Sequence, residues 1–211
     1  MRTRIPVVVA AALLAATAAS AQVQQRPLGI GVTVNPWALF VMEEDDLGYM
    51  PWGFGDFYLP INAGPGVRIE PEAGVWRMSM ESSTPTSRSS SSGTQLRLGV
   101  GLLLLKPLGG GTQFYAGPRA GIIRTSSRYQ YSGPYVPATD QKSHQTDKWI
   151  ALAVGGEHFF SPHFSLGAEA QLKYISYGEE VVDSGTSPPP DADYSRSALS
   201  NTGLIFLRYY F

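Results

Sequence analysis

Charged residues recur at alternate positions in segments otherwise built from apolar residues and glycine, and that spacing is where chemistry has to be sought. Arg68, Glu70 and Glu72 share one parity, as do Glu169 and Lys173, while Arg97, Arg119, Glu157 and Arg208 stand singly at mid-segment, many of them beside glycine. Alternation places such residues on one face of a β-strand. Five cations and four anions on facing strands can neutralise one another, which is the chemistry of an internal ion-pair network. His163 and Ser165 have the spacing of a base beside a hydroxyl nucleophile. As i and i+2 they share a strand face, but the favoured reading is an interfacial His and an interior Ser, with no catalytic residue assigned. His144 and His158 stand apart from them, so no metal site is expected. Two acidic clusters, Glu43, Glu44, Asp45, Asp46 and Glu179, Glu180, Asp183, Asp191, Asp193, have the oxygens that divalent cations take, with a solvated loop surface as the favoured alternative. No cofactor is implied.

The elements that must carry these residues have a period of two. Leu96, Leu98, Val100, Leu102 and Leu104 fall on one face, against Gln95, Arg97, Gly99 and Gly101 on the other. Similar alternation occurs over 28–35, 164–174 and 203–211, and weaker versions over 57–63, 67–78, 113–123 and 149–160, making eight segments. Their connections alternate in length. Polar stretches cover 36–56, 81–93, 127–147 and 178–194, and short ones cover 63–66, 106–111 and 161–163. In an up-and-down meander the four long loops then share one end, and the three tight turns share the other with both termini. Short turns at one end and long loops at the other are the mark of membrane barrels. Pro60, Pro71 and Pro118 each remove a ladder donor inside a proposed strand, implying bulges or shifted strand limits.

The composition narrows the class. The 211 residues include 16 basic and 17 acidic ones, 23 Gly and no Cys. Balanced charge offers no footprint for nucleic acid, and disulfide stabilisation is excluded. The start, MRTRIPVVVAAALLAATAASAQ, has the charged, apolar and small-residue regions of a secretory signal, so residues 1–21 are expected to be cleaved and 22–211 to form one barrel domain. The chain stops at the last strand, so no periplasmic domain is expected.

Parity alone does not say which face is inside, but the chemistry of the second face does. Charges at mid-strand beside so much glycine suit a narrow lumen, where small residues leave room for long side chains, and the apolar face then meets lipid. Eight strands give an interior filled by side chains, so a plugged lumen is expected in preference to a conducting one. Phe57, Tyr58, Phe114, Phe159, Phe160, Phe164, Tyr209 and Phe211 lie near turns and strand ends, as the aromatic girdles of a membrane barrel do. Arg77 and Arg124 have lipid-face parity, tolerable only near the upper interface.

With this pattern the chain resembles the small eight-stranded outer-membrane β-barrels of the OmpA and OmpX type, over about residues 27–211. The resemblance implies an all-β, eight-stranded antiparallel up-and-down transmembrane β-barrel, with four long extracellular loops and three short periplasmic turns, in the outer membrane of a Gram-negative bacterium. Gly203, Ile205, Leu207, Tyr209 and Phe211 resemble the terminal signal read by the outer-membrane assembly machinery. The partners implied are that machinery, periplasmic chaperones, outer-membrane lipid and lipopolysaccharide, for a monomer. The expected role is structural or surface-interacting. A narrow channel for small solutes or ions is the alternative, and a lipid A-modifying enzyme, to which His163 and Ser165 bear a spacing likeness, is the least favoured.

Overall fold

The computed structural model describes residues 26–34, 55–183 and 196–211. The expected leader, the 36–54 stretch with Glu43 to Asp46, and Asp191 with Asp193 lie outside the described residues. Ten strands form one antiparallel sheet: β1 (Gly29–Val34), β2 (Phe57–Tyr58), β3 (Ile61–Gly64), β4 (Val67–Ser83), β5 (Arg88–Gly109), β6 (Thr112–Gly133), β7 (Val136–Phe159), β8 (Phe164–Tyr177), β9 (Glu180–Asp183) and β10 (Arg196–Tyr210). β1 pairs with β10 from Gly29↔Tyr210 to Val34↔Ile205, and also with β2, which pairs with β4. The sheet therefore closes on itself. Counting β2 and β3 as one broken strand and β9 as an addition beside β7, the ring has eight members. Closure joins the first and last strands of the ring, which is what an all-β chain needs in a medium that offers the backbone no hydrogen bonds.

The prolines explain where the ladder is interrupted. Pro60 separates β2 from β3. A strand residue directs its N–H and C=O to the same side, and Pro71 accepts from Leu59 N–H at 2.9 Å, so its absent donor faces that same interruption. Pro118 keeps its pairing to Leu152 on β7. Towards β5 the pairs stop at Gly101↔Arg119 and resume in unchanged register at Leu104↔Ala116, so its missing N–H is accommodated without a bulge.

The three short turns fall as expected. The β5–β6 turn has Gly110 and Gly111 at φ 58° and 76°, the doubly left-handed geometry of a type I′ hairpin. The far end departs from expectation at two of its four connections. The β4–β5 ladder runs on to Ser83↔Arg88 and the β6–β7 ladder to Gly133↔Val136, so most of 81–93 and 127–147 is strand and not loop. The serine run 89–92 is paired on both sides, and His144 lies within β7. A spanning strand needs ~10 residues, whereas β5, β6 and β7 have 22, 22 and 24. Roughly half of each projects beyond a bilayer, so the β4–β7 side forms a tall wall. Both faces of that projection meet water, so the apolar parity that marks a spanning strand is missing there.

Within the ring the faces are those of a membrane barrel. Leu96, Leu98, Val100, Leu102 and Leu104 point outward, as do Ile150, Leu152 and Val154, while charged and polar residues fill the inside. Phe57, Phe114, Phe160, Tyr209 and Phe211 are exposed at the strand ends. Tyr58 and Phe159 are buried, which removes them from the expected girdle. Their parity turns both rings into the barrel.

Candidate functional site: the ion-paired lumen

Strand alternation brings most of the charged residues singled out above into the interior. Arg68, Glu70, Glu72, Arg119, Glu157, Glu169, Lys173 and Arg208 are all buried. Arg97 is partly exposed towards the far end, its side chain at 33%. Three arginines and two glutamates form the centre. Arg208 Nη2 lies 2.6 Å from Glu70 Oε2, and Arg119 Nη2 lies 2.6 Å from Glu70 Oε1. Arg208 Nη1 and Arg68 Nη1 approach Glu157 Oε2 at 3.2 and 2.8 Å. Arg119 extends the network upward to Glu72 at 3.0 Å and to Glu169 at 2.7 Å.

Neutral groups satisfy much of what remains. Glu157 accepts from Ser165 at 2.5 Å, from Tyr210 at 2.7 Å and from Gln113 at 2.7 Å. Tyr115 donates to Glu169 at 2.8 Å. Desolvated charges survive only when neutralised and hydrogen-bonded, and here each carboxylate of the centre meets at least two guanidinium groups. The arginine planes also rest on rings: Arg208 lies 3.8 Å from the Phe206 ring centre and Arg119 lies 4.9 Å from that of Tyr58.

Several residues of the site were not legible as charge parity. Asp56, just before β2, pairs with Arg97 at 3.0 Å. It makes the fifth acid of the network, against the five cations Arg68, Arg97, Arg119, Lys173 and Arg208. A Cβ on Gly74 would stand 2.0 Å from Asp56 Oδ1, so only glycine admits it there. Lys173 Nζ sits 4.6 Å from the centre of the Trp149 ring and feels the charges of Glu72 and Asp56. Beside the arginines, Leu103, Leu105, Tyr115, Ala153 and Phe206 make a small apolar cluster inside the lumen. Leu103 and Leu105 carry the parity of Arg97, the one signal that could have placed them there.

The His163 and Ser165 pair separates. Ser165 is fully buried and donates to Glu157, whereas His163 lies in the turn before β8, stacks on Tyr209 at 5.6 Å and has Nδ1 2.8 Å from the Tyr210 carbonyl oxygen. The expected shared face fails because His163 precedes the strand. No group of acids and histidines able to hold a metal ion occurs among the described residues.

Residues 7–200 match the family described as outer membrane protein beta-barrel domain. The chain belongs to that family. An outer-membrane β-barrel of this kind is what the closed ring and inverted faces require, and membership places the protein in the outer membrane. Among solved structures it is similar to Ail, the attachment invasion locus protein of Yersinia pestis, in complex with the heparin analogue sucrose octasulfate. That likeness has a TM-score of 0.45 and 12% identity, covering 87% of this chain and 94% of that one. CarO of Acinetobacter baumannii gives 0.40 and 13%, covering 88% and 98%, and CarO2 of the same organism gives 0.39 and 11%, covering 89% and 100%. No curated protein matches by sequence.

Proposed function

We propose that this outer-membrane β-barrel is a monomeric, non-conducting anchor that holds its tall β4–β7 wall at the cell surface for a structural or surface-interaction role. The observation that carries the reading is the arginine–glutamate centre. Arg68, Arg119 and Arg208 are 0, 1 and 1% exposed, with Glu70 and Glu157 between them at 0 and 1%. An eight-stranded ring has little width beyond its side chains, and a lumen so filled and neutralised supports a closed barrel over a conducting one. Residues 1–21 act as a cleaved export signal in this reading. Gly203, Ile205, Leu207, Tyr209 and Phe211 form the terminal recognition strand for the assembly machinery, after escort by periplasmic chaperones. The short turns face the periplasm.

Planar bilayer recording tests the closed lumen. The expected result is a silent wild-type protein, with current steps appearing in Glu70→Gln or Arg208→Ala. Steady wild-type conductance altered by those substitutions supports the narrow channel instead. Unchanged lipid A in cells overexpressing the protein is expected, and a modified lipid would restore the enzyme reading. Resistance to carbonate extraction and heat-modifiable gel mobility check the membrane-embedded barrel.

A further inference from the structure

The projecting half of the wall meets water on both sides, yet its two faces differ. On β4–β7, beyond the rung that joins Gly74, Arg97, Ile123 and Asp147, register places every charged residue, from Arg77 and Arg88 to Arg128 and Lys142, on the outward face and none on the inward one. The inward face is built instead from rows such as Trp76, Gln95, Thr125 and Gln145 and, four residues further out along each strand, Met80, Ser91, Tyr129 and Gln141. Met80 and Tyr129 are 46 and 45% exposed, so the outer row is open. Glu180 on β9, opposite Gln145, marks its border.

A solvated sheet face ordinarily carries charges of both signs, and the crowded lumen that dictates the rows below ends at the Arg97 rung. The sorting therefore points to what the inward face meets. Gln, Ser, Thr and Tyr side chains each donate and accept hydrogen bonds, whereas a guanidinium only donates and a carboxylate only accepts. Sugar hydroxyls do both as well. The Trp76 and Tyr129 rings add flat apolar surface with a polar atom at the edge, which suits the C–H face of a pyranose. Ser91 and Gln141 make no side-chain hydrogen bond among the described residues, so both can bond a ligand. A face without charge matches a ligand without charge. The wall itself stands between this face and the surrounding leaflet, so that ligand comes from solution beyond the membrane.

We infer that the inward face of the β4–β7 wall binds an uncharged polysaccharide reaching it from outside the cell, with sugar rings against Trp76 and Tyr129 and hydroxyls bonded by Gln95, Ser91 and Gln141. The inference deepens the surface-interaction role proposed above and rests on the orientation given there, in which the far end of the wall is at the cell surface. That orientation has its own readout: the chain has no cysteine, so Ser87→Cys in the β4–β5 turn reports it by labelling of intact cells with an impermeant maleimide.

Protein purified from outer membranes in polyoxyethylene micelles, which carry no sugar headgroup, is titrated calorimetrically with neutral hexasaccharides of glucose, galactose, mannose and N-acetylglucosamine, and with a soluble sulfated polysaccharide. At least one neutral hexasaccharide is expected to bind more tightly than the sulfated polymer, with an affinity indifferent to added salt. Trp76→Ala and Tyr129→Ala should each weaken that binding about fivefold, the scale of one ring contact. Gln141→Glu, which exchanges a two-way amide for an acceptor, should weaken it too. Lys142→Gln, next in sequence but on the opposite face, should leave it unchanged. The variants are expected to keep wild-type heat-modifiable mobility, and where Trp76→Ala does not, the exposed Tyr129 carries the test. Absence of binding to every sugar tested, tighter binding of the sulfated polymer, full binding by Tyr129→Ala, or loss of binding in Lys142→Gln overturns the inference. Any of these alongside labelled Ser87→Cys cells leaves the anchor and its orientation standing while the glycan site falls; cells that stay unlabelled overturn the orientation and the inference with it.

Discussion

Glu70→Gln isolates the energetics of the lumen. The substitution keeps the volume and removes one charge from a site with three guanidinium groups around it: Arg119 and Arg208 at 2.6 Å and Arg68 at 4.0 Å. The five cations of the network would then face four acids, and an amide N–H would point at guanidinium donors. Breaking a buried pair by removing one partner costs ~3–5 kcal/mol. The lower part of that range applies, because Arg119 keeps Glu72 and Glu169, and Arg208 keeps Glu157. For a urea slope of ~2 kcal/mol/M, the midpoint of unfolding from lipid vesicles, read by gel mobility, should fall by ~1.5–2 M. Arg208→Met added to Glu70→Gln restores neutrality, and replacing buried charges by apolar groups is often neutral. The double variant should therefore recover most of the loss, with a coupling of ~1.5–3 kcal/mol. A midpoint shift below ~0.3 M for Glu70→Gln, or simple addition of the two single penalties, would refute the reasoning.

Val100→Arg, at the middle of the outward row on β5, should destabilise the barrel by ~2–4 kcal/mol, whereas Arg124→Leu should change stability by ~1 kcal/mol or less; equal costs in vesicle unfolding would contradict the assigned lipid face. Gly155→Ala would put a Cβ 2.4 Å from the Tyr115 ring and 2.7 Å from the Ala168 carbonyl oxygen, and the same change at Gly156 meets nothing nearer than 3.9 Å. The first should cost ~1–3 kcal/mol and the second almost nothing, by the same urea measurement. On the projecting hairpin, the hydrogen bonds from Arg128 hold the Asp140 carboxyl below the usual carboxylate range. The pair then contributes pairing strength above the ordinary carboxylate value of ~3.9, lost as pH falls through the lower folded value. Amide protection around Tyr129 and Gln141 should stay level from pH 7 to ~4.5 and drop only in more acidic solution; Asp140→Asn should lack that step, and a wild-type step above pH 5 would contradict the pairing.

The ring and its inside were legible in the sequence to the extent that two constraints acted together. Over residues 96–102, lipid on one side and a crowded lumen on the other forced Leu and Val against Arg and Gly, and period two could be read directly. Over 127–147 neither constraint acts. Tyr129, Gln130 and Tyr131 pair with Gln141, Asp140 and Thr139 in an unbroken ladder, and a backbone ladder in water leaves little trace in composition. Asp56 was hidden for another reason. It belongs to a segment with no alternation, and its partner Arg97 is 41 residues away, so closure of the ring brings the two together and local pattern does not.

The glycine excess follows from the same geometry. Gly101 faces Arg119, Gly155 faces Tyr115, Gly167 faces Phe206 and Gly31 faces Arg208, each where a Cβ would come within 3 Å of the long side chain opposite. An eight-strand interior has room for a large side chain only where a neighbouring strand gives up its own. The arginines that neutralise Glu70, Glu157 and Glu169, and the tyrosines that donate hydrogen bonds to Glu157 and Glu169, therefore require glycines at fixed positions on adjacent strands. The lumen is then specified by pairs, one residue supplying bulk and charge and the other supplying space. This predicts an asymmetry: adding volume at Gly167 should be worse than removing it at Phe206, because the Cβ would meet the Gly156 carbonyl oxygen at 2.3 Å as well as the ring at 2.1 Å. Trimming Phe206 cannot relieve the first of those contacts, so Gly167→Val should remain poorly folded even in a Phe206→Ala background, as judged by heat-modifiable mobility. Rescue of folding by Phe206→Ala would show that the ring alone sets the constraint.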